Sequence, residues 1–160
     1  MKQIGKHSIY VIGVDPGKTG GAAYIRDGIL KEVRAFKGEI QNCRTISHNT
    51  YPYLPEYFIE KVDSSPNQGR TSAFTFGKWA ESVECAAFLS VGKDQVHMIR
   101  PAIWQNAIGV FSGGDKEKLY KHAQKLYPAE YKAKMFIKST CDAVLIAYYG
   151  WRYMVHKGEG

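Results

Sequence analysis

An apolar segment near the N-terminus ends in a carboxylate. Residues 9–14 have the length and β-branched content of a strand that is buried on both faces, and Asp15 follows directly. A charged side chain at the end of a core strand needs a partner, which is usually a cation. Because Asp-Pro-Gly is also common turn chemistry, this stretch alone fits a simple turn former equally well.

The residues after Asp15 predict that the chain turns back as a β-hairpin. Proline and glycines at positions 16–21 are turn residues, and residues 22–25 resume an extended pattern. After a second turn, residues 29–36 alternate as a third strand does. The sequence therefore predicts a three-stranded antiparallel meander over residues 8–36.

A second buried strand brings a second carboxylate. Residues 57–62 are mainly apolar and contain Glu60 near their end, and a short strand is predicted at residues 95–99. Residues 37–54 show no firm period and are interpreted as a short helix or loop.

Helical patterns fill most of the remaining chain. They cover residues 70–89, 102–108, 115–126 with Asp115 as N-cap, and 140–154 as an amphipathic helix with Ala143, Ile146, Ala147 and Tyr153 on one side. Residues 63–69 are a predicted turn cluster and residues 129–138 a lysine-containing loop. Three antiparallel strands followed by parallel strands and helices predict an α/β fold with a five-stranded mixed sheet, as one domain over residues 1–160.

Small residues form a stripe along the helix at residues 70–89. The stripe consists of Ala73, Gly77, Ala80 and Ala87. Small side chains let another backbone approach closely, so we expect this helix to pack against a second copy in a homodimer or, alternatively, against its own sheet.

Composition limits the class of protein. With 160 residues, of which 44% are hydrophobic, the chain can bury a sizeable core. A net charge of +7 favours a polyanionic partner such as nucleic acid, although a solvated basic surface is the ordinary alternative. Three scattered cysteines and five scattered histidines do not form a zinc pattern. Without a signal peptide or a membrane-length apolar run, we expect a cytoplasmic protein with no membrane partner.

Three acids are distinguished by their positions. Asp15 and Glu60 end apolar strands, and Asp142 lies in the first turn of an apolar helix. Converging carboxylates repel one another unless a cation neutralises them, and oxygen ligands favour Mg²⁺ or Mn²⁺. Two such ions about 3.5–4 Å apart can hydrolyse a phosphodiester. Each acid alone has a simpler explanation: a helix N-terminus favours Asp142, and Glu60 could form an ion pair at a sheet edge.

Several motifs in chain order strengthen the joint interpretation. They are V-D-P-G-x-x-G-G around Asp15, I-E-K-V around Glu60, P-x-x-W-Q-x-x-x-G at residues 101–109, the pair Asp115-Lys116, and C-D-A-V-L-I-A-Y-Y-G at residues 141–150. Together they resemble the RuvC-type Holliday junction resolvases, most closely the compact versions carried by phages and prophages. The resemblance covers nearly the whole chain.

The resemblance implies an RNase H-like fold, a homodimer, and paired Mg²⁺-dependent cuts in opposite strands of a four-way DNA junction, in DNA recombination and repair. It implies that Asp15, Glu60 and Asp142 hold the metal ions, with Mn²⁺ as a substitute, and that Lys116 lies near the scissile phosphate.

The chain departs from the family pattern at three places. The position of a fourth acidic or histidine ligand holds Ser139, beside Lys138. Asp63 stands where the bacterial enzymes have an aromatic wedge.

Phe74 or Phe76, further along the helix, could replace that wedge. The third departure is Gln105, which stands where the bacterial pattern has a basic residue. Gln105 either contacts DNA or lies in the core. For its neighbour Trp104 we favour the core.

Basic residues close in sequence to these acids are candidate DNA contacts. The DNA-binding set comprises Arg70, Lys116, Lys118, Lys132, Lys134 and Lys138, together with Phe74.

Two other functions remain open. Ser139 at the fourth ligand position also fits a catalytically inactive module that binds branched DNA. The D-x-G-x-T-G pattern at residues 15–20 also resembles the first phosphate loop of actin-like ATPases and sugar kinases. Those enzymes need two such domains, and 160 residues are too few for both.

Overall fold

Five β-strands form one mixed sheet in this computed structural model, which describes residues 8–37, 54–61 and 69–158. The strands are β1 (Tyr10–Asp15), β2 (Gly21–Arg26), β3 (Ile29–Ala35), β4 (Glu56–Glu60) and β5 (Val96–Ile99). Their order is β3-β2-β1-β4-β5, with β1, β2 and β3 antiparallel and with β4 and β5 parallel to β1. The predicted meander and mixed sheet are confirmed.

Five α-helices flank this sheet within the described residues. They are α1 (Arg70–Val91), α2 (Pro101–Ala107), α3 (Lys116–Leu126), α4 (Pro128–Lys132) and α5 (Cys141–Gly158). Short 3₁₀ turns occupy Lys93–Gln95 and Lys138–Thr140. The loop predicted at residues 129–138 was partly wrong, because Pro128 begins a helical turn: its ring presets φ, and the first helical position needs no N–H.

The two faces of the sheet carry separate apolar cores. Val11 and Phe58 face α5, whereas Ile12, Val14 and Ile59 face the other side, where Val83 and Ala87 of α1 pack. This alternation follows from the two-residue period of a strand.

Helix α5 is more deeply buried than an amphipathic helix. Residues 143–147 are all buried, so this stretch has no solvent face. Tyr153, predicted on the buried side, is 44% exposed, although its ring contacts Phe58 edge-on at 5.8 Å between centroids. The predicted single apolar face was therefore wrong for this helix, which is enclosed along its first half.

The small-residue stripe of α1 is divided between two environments. Ala87 is fully buried against the sheet, whereas Gly77 is exposed, and a Cβ built there would meet no atom of the described residues within 4 Å. The C-terminal part of the stripe thus packs on the protein's own sheet, and Gly77 is exposed with respect to the described part of the chain.

Two sequence interpretations lie largely or wholly outside the described residues. These are the short helix or loop predicted over residues 37–54 and most of the turn cluster at residues 63–69. Among the described helices, none combines the length and the apolar character that crossing a membrane requires.

Gly13 lets α5 lie directly on the central strand β1. A Cβ at this position would be 2.2 Å from the Ala147 backbone nitrogen and 2.5 Å from the Ala143 carbonyl oxygen. Any side chain here would push the helix away from the sheet. Asp142 immediately precedes Ala143 on α5, so this contact also determines how close Asp142 comes to the end of β1.

We expect Gly13→Ala to destabilise the fold by about 2 to 4 kcal/mol, because the new methyl group would overlap backbone atoms. Adding Ala147→Gly should not restore stability, since truncating that side chain leaves its backbone in place. Urea unfolding measures both, with Gly158→Ala as control, because a Cβ there meets nothing within 4 Å. A Gly13→Ala variant as stable as Gly158→Ala would contradict the close approach.

Candidate active site

Three carboxylates meet at one edge of the sheet. β1 and β4 are parallel neighbours with Val14 opposite Ile59, so Asp15 and Glu60 both follow at the carboxyl ends of their strands. Asp142 reaches the same edge from the first turn of α5. The charge of Asp15 and that of Asp142 both act on Glu60, which places the three acids within one electrostatic environment.

Lys116 lies between two of these acids. Its Nζ donates to Asp142 Oδ2 at 2.8 Å and lies 3.9 Å from Asp15 Oδ2. Both carboxylate side chains are about 85% buried, at 15% and 14% exposure, whereas the lysine side chain is 37% exposed. Burial lowers the pKa of Lys116, but the hydrogen bond and charge of Asp142 outweigh it and leave the pKa raised. The Lys116 side chain therefore carries a positive charge, and its ammonium lies beside both carboxylates.

The first turn of α3 presents this lysine. Asp115 is the N-cap, and its side chain accepts a hydrogen bond from the Glu117 backbone N–H at 2.9 Å. The cap starts the helix at Lys116, one residue after the capping acid. Asp115 thus caps the helix, and the next residue, Lys116, binds the Asp142 carboxylate.

The turn after β1 holds Asp15 closely. Its Oδ1 accepts a hydrogen bond from the Gly17 backbone N–H at 3.1 Å, and a Cβ at Gly20 would lie 2.1 Å from the Asp15 carbonyl oxygen. Burial and then the charge of Asp142 raise the pKa of Asp15, against the lowering effects of Lys116 and the Gly17 N–H. Asp15 thus lies in a position that disfavours its negative charge.

Trp104 contacts Glu60 from α2. Its indole Nε1–H donates to Glu60 Oε2 at 2.8 Å, and its side chain is fully buried. Burial and then the charge of Asp15 raise the pKa of Glu60 to about 7, against the lowering effect of this hydrogen bond. The core position favoured for Trp104 is confirmed, but sequence reasoning missed its polar contact with the site.

Gln105 is a buried structural residue. Its Oε1 accepts hydrogen bonds from the Ser112 backbone N–H at 3.0 Å and from the Ser112 hydroxyl at 3.1 Å. These bonds hold the loop between α2 and α3. Of the two roles considered for Gln105, the structure supports the core.

The thiol beside Asp142 is buried and protonated. Cys141 Sγ donates to Asp142 Oδ1 at 3.3 Å, and burial, followed by the charge of Asp142, raises its pKa. Asp142 therefore accepts hydrogen bonds at both oxygens, one from a neutral thiol and one from the Lys116 ammonium.

The donor set fits a hard divalent cation, but the carboxylates are not gathered around one point. Within residues 8–37, 54–61 and 69–158, no group of three His, Cys, Asp or Glu side chains is arranged to hold a metal ion. The Lys116 ammonium instead lies between Asp15 and Asp142, which shows that a positive charge is accommodated there. Oxygen donors of buried carboxylates are the ligands that Mg²⁺ prefers.

The remaining candidate residues differ in their exposure and in their ion pairs. Ser139 is half-buried in the 3₁₀ turn just before α5, and Lys138 forms an ion pair with Glu117 at 2.8 Å. Lys118, Lys132 and Lys134 are exposed.

Two candidates in α1 are located by their backbone alone. Arg70 is the first residue of the helix, and Phe74 lies about one turn later. Phe76 follows two residues after Phe74. The side chains of these three residues are outside the described part of the structure.

Comparisons with known proteins identify the fold. No protein-family model matches the sequence, and a search of curated proteins finds no match. Among solved structures, the chain is similar to T. thermophilus RuvC in complex with Holliday junction substrate, with 17% sequence identity and a TM-score of 0.62. The similarity covers 92% of this chain and 96% of that one. The five-stranded mixed sheet with flanking helices is thus an RNase H-like fold of the kind found in RuvC.

We expect Glu60→Gln to stabilise the metal-free protein more at pH 8 than at pH 4.5. Glu60 has a pKa of about 7 in the fold against an ordinary value of 4.5, so between these values the folded state binds more protons than the unfolded state. The contribution of Glu60 to the free energy of unfolding therefore falls as pH rises from 4.5 to 7. A neutral Gln avoids this loss, which is about 1 to 3 kcal/mol.

Urea unfolding in chelator at both pH values measures this difference. Glu81→Gln, at an exposed position on α1, is the matched control. An effect of Glu60→Gln that is the same at both pH values would show that burial does not disfavour the Glu60 charge.

Proposed function

We propose that this protein is a Mg²⁺-dependent endodeoxyribonuclease that resolves four-way DNA junctions. The observation that carries the proposal is the meeting of Asp15, Glu60 and Asp142 with one lysine at the carboxyl ends of parallel strands. The fold is shared with RuvC, whose solved structure is described as a complex with Holliday junction substrate. The sequence motifs around the same residues resemble that family.

Asp15, Glu60 and Asp142 would hold the divalent ions, and Ser139 would contribute at most a neutral oxygen. When bound, Mg²⁺ or Mn²⁺ polarises a water and neutralises charge on the phosphodiester. The protein contributes the rigid geometry: two of the acids end neighbouring strands, and the third is held by the contact of α5 with Gly13.

Lys116 has a second role in this proposal. In the metal-free protein its ammonium is hydrogen-bonded to Asp142 and lies 3.9 Å from Asp15 Oδ2. With the scissile phosphate beside these carboxylates, the ammonium would lie close to the reacting group. There it would stabilise the negative charge that develops in the transition state.

The basic surface fits a DNA backbone. Lys118, Lys132 and Lys134 are exposed, and the chain carries a net charge of +7. A four-way junction presents converging phosphates, so lysines around the carboxylates can select it by shape without contacting bases. Lys138 is less available than these three lysines because it forms an ion pair with Glu117. Arg70 and Phe74 remain proposed contacts from α1.

A homodimer is also part of the proposal, because two matched cuts in opposite strands call for two active sites related by a twofold axis. The exposed surface at Gly77 of α1 is a suitable place for a second copy, because no atom of the described residues lies within 4 Å of a Cβ built there.

A catalytically inactive module that binds branched DNA is the second candidate. It is favoured by the lack of a three-residue metal cluster among the described residues and by Ser139 at the fourth ligand position. Metal-dependent nicking separates the two functions, because both predict junction binding and only the nuclease cuts.

We expect purified protein to cut a mobile four-way junction with Mg²⁺ and not with chelator. Asp15→Asn, Glu60→Gln and Asp142→Asn should each abolish cleavage while junction binding stays intact or tightens, because each loses a metal ligand and a charge that repels phosphate. Single-turnover cleavage and gel-shift assays measure both.

Asp94→Asn is the control, since Asp94 is exposed in a 3₁₀ turn away from the three acids in sequence. Normal cutting by any of the three site variants would remove that residue from the site. Binding without cutting by the wild type would support the inactive module.

Lys116→Ala and Lys134→Ala should fail in different ways. Loss of Lys116 should lower the single-turnover rate by about 10²- to 10³-fold at saturating protein, because charge stabilisation counts most in the transition state. Loss of the exposed Lys134 should weaken binding and reduce the log–log salt slope by about 0.9, with the rate at saturation unchanged. A Lys116→Ala variant that only binds less tightly would move Lys116 to the phosphate-binding surface.

A further inference from the structure

Helix α2 is attached to the strand beside Glu60. β4 and β5 are parallel with Glu60 opposite Ile99, and the Lys61 backbone N–H donates to the Ile99 carbonyl at 2.8 Å. Arg100 is the N-cap of α2 and Pro101 its first residue, so the helix begins immediately at the end of β5. A side chain in the first turn of α2 can therefore reach back to the end of β4.

Trp104 is the residue that does so. The bond from its indole N–H to Glu60 Oε2 is 2.8 Å long, and the ring is fully buried beneath the site. An indole nitrogen is a donor only, and it carries no charge. It therefore contacts one carboxylate oxygen without neutralising the group, and Oε1 of Glu60 is a separate acceptor that can bind a cation.

The surroundings make this contact rigid. Trp104 belongs to the apolar cluster that includes Ile99, Ile108 and Leu119. The next residue, Gln105, holds Ser112 with two hydrogen bonds, and the Gly114 backbone N–H donates to the Ser112 hydroxyl at 3.2 Å. One short helix thus contacts Glu60 on one side and the loop that leads to Lys116 on the other.

We propose that Trp104 is a positioning residue that orients the Glu60 carboxylate for divalent-cation binding. This inference rests on the proposed function, because it assigns Glu60 to the metal ions. A donor fixed on one oxygen prevents the carboxylate from rotating, so its other oxygen is presented in one direction. Partners that orient metal ligands in this way typically contribute 10- to 100-fold to metal affinity or activity.

A role in packing alone makes a different prediction from positioning. If Trp104 only filled volume, Trp104→Phe would lower stability and leave the metal dependence of the folded protein unchanged. If it orients Glu60, Trp104→Phe should raise the Mg²⁺ concentration needed for half-maximal binding by 10- to 100-fold, even at a temperature where the variant is fully folded. Trp151→Phe is the matched control, since Trp151 lies on α5 beside Gly28.

Indole nuclear magnetic resonance gives a readout that does not require cleavage. The chain has three tryptophans, so a ¹⁵N-labelled sample gives three indole N–H signals. Glu60→Gln should shift the Trp104 signal selectively, which assigns it without relying on a Trp104 variant. Titration of wild-type protein with Mg²⁺ should then move the Trp104 signal and leave the Trp151 signal in place.

The results separate the two levels of inference. A Trp104 signal that responds to Mg²⁺, with a 10- to 100-fold weaker midpoint in Trp104→Phe than in Trp151→Phe, supports the positioning role. Equal Mg²⁺ midpoints in the two variants, or a Trp104 signal unmoved by Mg²⁺ in a wild type that cuts junctions, would overturn it and leave the nuclease intact. A wild type that neither responds to Mg²⁺ nor cuts would overturn the proposed function itself.

Discussion

The repulsion among three buried carboxylates is the constraint on which the site depends. Asp15 and Glu60 both have raised pKa values because burial removes them from water and neighbouring acids oppose their charge. One ammonium, that of Lys116, contacts two of the acids. A single positive charge cannot balance three negative ones, and burial together with the neighbouring acids leaves the pKa of Glu60 raised to about 7.

The fold holds this unfavourable cluster together through backbone geometry. Parallel pairing of β1 and β4 brings two strand ends to one edge, and the missing side chain of Gly13 lets α5 approach closely enough to add Asp142. Each acid therefore belongs to an element whose apolar side chains pack in one or both of the two cores. Burial of apolar side chains on both faces of the sheet offsets the local electrostatic cost.

Much of this arrangement could be predicted from sequence, because the spacing of apolar residues and the positions of turn residues indicate where strands end and where helices begin. The strand ends at Asp15 and Glu60, the capping role of Asp115 and the burial of Trp104 are examples. Other features depend on contacts between distant residues, which no local pattern contains. The bond from Trp104 to Glu60 spans 44 positions and that from Lys116 to Asp142 spans 26. Trp104 is the fourth residue of α2. Its burial indicates only that the indole N–H needs an acceptor, and does not indicate which one.

The positions of Lys116 and Trp104 give these two residues different parts in the proposed site. Lys116 is 37% exposed and carries its charge on a flexible four-carbon chain. Trp104 is fully buried, and its indole N–H donates a hydrogen bond to Glu60. Asp15, Glu60 and Asp142 would hold the divalent ions, so Trp104 would keep one of these ligands in a single orientation. Lys116 lies beside the other two acids, where its ammonium would face the phosphate of bound DNA and stabilise its charge. One buried neutral donor and one exposed cation would thus complement the three acids in different ways.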